Sequence, residues 1–104
     1  MSDAEIKTRT QSKENLEIKE PPMFRVIYIN DETTSMGFVV DSLIQYFSYS
    51  VPTAERITYD IHQAGFATVA VLPYEIAEQK GIEVTLSARS AGFPLQIKLE
   101  PDLC

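Results

Sequence analysis

Apolar residues form three short runs of strand character and three longer stretches at helical spacing. Met23 to Ile29 (MFRVIYI) is rich in β-branched and aromatic residues, which predicts a strand. The polar run Asn30-Asp31-Glu32-Thr33-Thr34 ends it. Met36, Val39, Val40, Leu43, Ile44 and Phe47 then recur at the spacing of one helix face. Thr34 or Ser35 can cap that helix. Ser50-Val51-Pro52 opens a second helix, since proline is tolerated in a first turn. Ala54, Ile57, Thr58, Ile61 and His62 line one of its faces, and Gly65 stops it. Phe66 to Leu72 (FATVAVL) predicts a second strand. Pro73 starts a third helix running to about Ala91, with small residues at Ala77, Gly81, Val84, Ala88 and Ala91 on one face and Gly92 closing it. Leu95, Ile97 and Leu99 alternate with Gln96, Lys98 and Glu100, which predicts a half-buried third strand.

The order β-α-α-β-α-β predicts an α+β fold in one small domain. Three amphipathic strands form a three-stranded antiparallel sheet with the helices packed on one side. The first twenty residues differ. Only Met1, Ala4, Ile6, Leu16 and Ile18 are apolar there, the charges alternate in sign, and Pro21-Pro22 follows. Such a stretch cannot bury enough surface to offset its ordering entropy. Residues 1–22 are therefore expected to be a flexible N-terminal extension, and residues 23–104 the domain.

Charge narrows the function. The 104 residues carry 9 Lys plus Arg and 15 Asp plus Glu, a net charge of −6. That argues against a nucleic-acid binder held by phosphate contacts. It is compatible with a basic partner or a ligand bearing a cationic group. No apolar run reaches the ~20 residues of a membrane span. The acids Asp3 and Glu5 fit neither a secretory signal nor a transit peptide, so a cytoplasmic protein that does not engage a membrane is expected.

Chemistry is sparse. The one cysteine, Cys104, excludes an intrachain disulfide and a cysteine-based zinc site, and it reads as an incidental thiol. A single histidine leaves a metal site short of ligands. Gly37, Gly65, Gly81 and Gly92 never cluster into a phosphate-cradling loop. Ser35, His62 and Asp31 make a hydrolytic triad only on paper, for there is no nucleophile elbow and little room for a cleft. The expectation is a binding module, with no catalysis and no cofactor. Asn30, Asp31 and Glu32 stand beside the apolar helix start at Met36, while Thr58, Ile61 and His62 share a helix face. If the two helices pack, an apolar pocket with polar acceptors at its rim would suit a ligand with a cationic head and an apolar side chain. The same residues also read as an ordinary turn, ordinary core and a structural histidine.

The residues resemble a known family. Pro21-Pro22-Met23-Phe24-Arg25-Val26-Ile27-Tyr28-Ile29-Asn30-Asp31-Glu32-Thr33-Thr34 is similar to the first strand and loop of ClpS, the bacterial N-degron adaptor. The likeness continues through Met36, Phe38-Val39-Val40-Asp41, Phe47-Ser48-Tyr49 and His62-Gln63-Ala64-Gly65. It ends with Glu75-Ile76-Ala77-Glu78-Gln79-Lys80 and Pro94-Leu95 to Leu99-Glu100. The resemblance implies the β-α-α-β-α-β fold already read from the pattern. It also implies a non-enzymatic adaptor that binds proteins beginning with Leu, Phe, Tyr or Trp and delivers them to a Clp AAA+ unfoldase for proteolysis. By the resemblance, Asn30, Asp31 and His62 would recognise the substrate's α-amino group. Thr34, Met36, Val39, Thr58, Ile61 and Leu95 would line the side-chain pocket, with Met36 as gatekeeper against β-branched first residues. Glu75 and Lys80 would dock a monomeric adaptor on the N-terminal domain of a ClpA- or ClpC-like unfoldase, which would engage the extension during hand-off. The alternative is a regulatory domain that docks on the unfoldase without reading N-termini.

Four positions depart from the family pattern. Gly37 stands where an acid is usual. With Thr34 as N-cap, that acid would complete a capping box, so a looser first turn is expected. Ser35 replaces a common proline, Thr58 a methionine of the pocket, and Ile61 a common valine. These changes bear on the ranking of first residues.

Overall fold

The computed structural model describes residues 21–103. The extension expected over residues 1–22 lies outside them apart from Pro21 and Pro22, as does Cys104. The elements run β1 (Met23–Ile29), α1 (Met36–Phe47), α2 (Val51–Ala64), β2 (Phe66–Pro73), α3 (Tyr74–Ser90) and β3 (Gln96–Pro101). The strands form one antiparallel sheet in the order β2-β1-β3. This is the expected α+β architecture.

β1 is central because nearly every residue in it is β-branched or aromatic and has a partner on both sides. By the two-residue pleat, Val26 and Tyr28 point to the helical face, where both are fully buried. They meet Val39 and Leu43 of α1, Ala54 and Ile61 of α2, and Ala77, Val84 and Ala88 of α3 in one core. The other face carries Arg25, Ile27 and Ile29. Ile27 is buried there beside Thr68, Lys98 and Glu100, and Arg25 pairs with Glu100 across the strands at 3.0 Å. Small residues line the inner side of α3, so the helix lies close on the sheet. A Cβ at Gly81 would meet Ile97 at 3.6 Å.

Local chemistry sets the element ends. Ser50 caps α2, and Gly65 ends it at φ 90, a conformation open to glycine at little cost. Ser35, not Thr34, caps α1: its Oγ accepts from the Phe38 N–H at 3.1 Å. Thr34 is engaged elsewhere, because its hydroxyl donates to Asp31. Gly37 is therefore the second residue of α1, and Phe38 holds the third position. The expected break in a capping box at residues 34 and 37 does not apply. The Pro73 expectation shifts as well, since Pro73 ends β2 and α3 begins one residue later. Ala91 is exposed, not part of the small buried face, because α3 ends at Ser90 and the chain turns at Gly92 with φ 84.

β2 is an edge strand with a bulge. Val26 pairs with Ala70 and Ile27 with Thr68, which leaves Val69 without a partner on β1. The Tyr49 hydroxyl, from the link between α1 and α2, donates to the Val69 carbonyl. Among the described residues, no helix is long and apolar enough to cross a membrane.

Candidate functional site

The site begins where β1 ends. The Asn30 N–H donates to the Gly65 carbonyl at 2.9 Å. That bond ties the loop after β1 to the end of α2, one turn beyond Ile61 and His62. At 3.6 residues per turn, these neighbours on α2 diverge: Ile61 is buried and His62 is exposed. α1 starts on the far side of the loop and packs on α2.

These elements surround a small, partly open cavity of about 20 Å³. Asn30, Asp31, Thr34 and His62 supply its polar lining, and Met36, 47% exposed, stands with them. Its other lining residues are Val39, Thr58, Ile61 and Leu95, all buried. The nine residues named for the two halves of a binding site thus line one space. Glu75 and Lys80 are not among them. Both lie in the first half of α3, where Glu75 is exposed and Lys80 is half-buried, 3.8 Å from Glu83.

Asp31 is largely committed to its own loop. Oδ1 accepts from the Thr33 N–H at 2.8 Å and the Thr34 N–H at 2.6 Å, and Oδ2 accepts from the Thr34 hydroxyl at 2.7 Å. Partial burial pushes this carboxyl up. The hydrogen bonds from Thr34 and Thr33, with the charge of Arg89, outweigh it and hold the group below the ordinary carboxylate value. The carboxylate therefore stays ionised at neutral pH. It keeps acceptor capacity beyond its three bonds, because two carboxylate oxygens offer about four lone-pair sites.

Thr58 brings no free hydroxyl proton to the walls. Its Oγ1 donates to the Ala54 carbonyl one turn back at 2.8 Å. No lysine or arginine lines the cavity. Its one charged group with a fixed sign is the Asp31 carboxylate, beside groups able to accept hydrogen bonds and an apolar wall. Among the described residues no group of three His, Cys, Asp or Glu could hold a metal ion.

The sequence pattern did not disclose one supporting pair. Ser42 donates to the Val39 carbonyl at 2.8 Å, which uses its proton. The Tyr28 hydroxyl, 2.8 Å away, must then be the donor to Ser42 Oγ. Burial pushes the Tyr28 phenol well above the ordinary tyrosine value, so it stays protonated and able to donate. The relay fixes the turn of α1 that carries Val39 against the strand that leads to Asn30. The available signal was a serine set between the buried Val39 and Leu43 on an otherwise apolar helix face.

Comparison with known proteins shows the family. Residues 19–98 match the family of ATP-dependent Clp protease adaptor protein ClpS. The chain is 38% identical over 96 residues to the ATP-dependent Clp protease adapter protein ClpS of Acetivibrio thermocellus, covering 92% of this chain and 97% of that one. It is 41% identical over 102 residues to the protein so described from Oleidesulfovibrio alaskensis, covering 96% and 98%. Among solved structures it resembles Agrobacterium tumefaciens ClpS2 bound to L-phenylalaninamide, at 36% identity and a TM-score of 0.77, covering 80% of this chain and 100% of that one.

Proposed function

The chain belongs to the ClpS family of Clp protease adaptors, and from that premise we propose that it reads the first residue of substrate proteins. It binds a free α-amino group together with a bulky apolar side chain of the Leu, Phe, Tyr and Trp class. It then carries the bound protein to a Clp AAA+ unfoldase, as a cytoplasmic monomer and without a covalent step.

One observation carries this reading: an apolar cavity whose polar lining holds acceptors and a carboxylate but no lysine or arginine. An α-amino group titrates near pH 7.7–8.0, so it is mostly cationic at pH 7. The Asn30 side-chain carbonyl, a neutral nitrogen of His62 and the Asp31 charge, directly or through water, would accept its protons. Charge-assisted bonds of this kind are the stronger ones. Burying a Phe or Leu side chain against Val39, Ile61 and Leu95 adds roughly 1.5–3 kcal/mol. The ammonium requirement rejects internal residues, and the walls reject charged first residues; together they give specificity. The ligand of the Agrobacterium relative supports the reading, since L-phenylalaninamide has a free α-amino group and an aromatic side chain. Thr58, shorter than a methionine, alters the wall and bears on the ranking of first residues. Glu75 and Lys80, outside the cavity on α3, are assigned to docking on the N-terminal domain of a ClpA- or ClpC-like unfoldase.

The test is fluorescence anisotropy at neutral pH with four labelled peptides that begin with Phe, Leu, Met and acetylated Phe and are otherwise identical. Binding of the Phe and Leu peptides without acetyl-Phe is expected. Equal binding of Phe and acetyl-Phe overturns the reading. Binding of none, with the unfoldase still captured, assigns the protein to docking alone.

A further inference from the structure

We propose that Arg89 is a positioning residue for the cavity: it holds the wall segment that carries Leu95 and thereby sets which first side chains fit. The inference rests on the N-terminal-residue reading above.

Arg89 stands in the last turn of α3, outside the cavity. Its Nη1 donates to the carbonyl of Phe93 and to that of Leu95, each at 2.9 Å. One guanidinium nitrogen carries two hydrogens, so both bonds form at once. Both carbonyls precede the sheet, because pairing with β1 begins only at Gln96, opposite Ile29. The segment is tied on its other side as well. The Phe93 N–H donates to the Ala88 carbonyl at 2.8 Å, and the Phe93 ring packs on Phe38 of α1 with centroids 5.4 Å apart. Leu95, 1% exposed, is thus a wall whose backbone is held by one exposed side chain. Phe93 is anchored without Arg89, whereas for the Leu95 carbonyl Arg89 is the hold between that anchor and the sheet. The same guanidinium bears on the Asp31 carboxylate, so it favours the ionised form of a polar lining group while setting a wall.

The test compares Arg89→Ala and Arg89→Lys with the parent protein, using peptides that begin with Phe and Leu. A wall that moves changes the two affinities unequally. Arg89→Ala is expected to shift their ratio by about threefold or more. Arg89→Lys, with three donors on a shorter stem, is expected to recover part of that shift. Amide exchange supplies a ligand-free readout: the Leu95 and Gln96 amides exchange about tenfold faster or more in Arg89→Ala, while Phe93, β1 and α1 keep their protection. Equal weakening of both peptides, an unchanged ratio or unchanged exchange at Leu95 and Gln96 overturns the proposal. A parent that binds acetyl-Phe as well as Phe overturns the N-terminal reading and the specificity role with it, while the exchange data still report whether Arg89 holds the segment.

Discussion

Asp31 and Thr34 close a turn on each other, with the Thr34 N–H on Oδ1 at 2.6 Å and the Thr34 hydroxyl on Oδ2 at 2.7 Å. The carboxylate is part of the loop's architecture before it can be part of any ligand's.

Replacing Asp31 should therefore cost stability as well as binding. Asp31→Ala removes three accepted hydrogen bonds and should destabilise by about 1 kcal/mol, as the loss of a helix cap does. The carboxyl is held below its ordinary value, so its contribution is fully present above the ordinary carboxylate range and is lost as the pH falls through the lowered value. Urea titrations of parent and variant should differ by a constant amount from neutral pH down to about 5, and the gap should narrow below about pH 4.

The Tyr28–Ser42 relay predicts an asymmetry. Ser42→Ala leaves a fully buried phenol without an acceptor and should cost about 1–3 kcal/mol. Tyr28→Phe leaves Ser42 donating to Val39 and should cost about 1 kcal/mol. The double variant should lose less than the two single losses combined, because the orphaned group is gone. Denaturant midpoints of the four proteins decide this.

Gly37 is a stabilisation site. Nothing lies within 4 Å of a Cβ built there, its φ is not positive, and the first turn of α1 carries no acid. Gly37→Ala should add about 1 kcal/mol by helix propensity. The urea midpoint should rise with the slope unchanged.

His62 is tested by truncation. His62→Ala should bind the Phe peptide about tenfold more weakly or worse at neutral pH, because a proposed acceptor for the α-amino group is lost. An unchanged affinity would remove His62 from the contact with the α-amino group.

The order of elements was legible because each obeys its own period. The face Met36–Val39–Leu43 and the alternation Leu95–Ile97–Leu99 needed no neighbours to be seen. The cap of α1 was not decided locally, since Thr34 and Ser35 are both good capping residues. What separates them is the bond between the Thr34 hydroxyl and Asp31. The convergence of Asn30, Ile61 and Leu95 on one cavity depends on the sheet pairing and on the bond from Asn30 to Gly65. Pattern alone offered Asn30 and Ile61 for a pocket only if the helices packed, with turn and core as the other reading; the family resemblance added Leu95. Arg89 offered no local sign, for a basic residue in a last helical turn is common, and its targets are backbone atoms.

The tie between Tyr49 and Val69 has a bearing on working conditions. β2 is an edge strand of eight residues, FATVAVLP, with no charged side chain. A bare strand of that composition invites another chain to add to the sheet. A Clp protease adaptor works among chains that can offer unpaired backbone. The bulge breaks the regular spacing along β2, the phenol occupies a carbonyl in its middle, and α2 packs beside it. An adaptor built this way can thus work beside other chains without seeding the growth of a β-aggregate on its own flank.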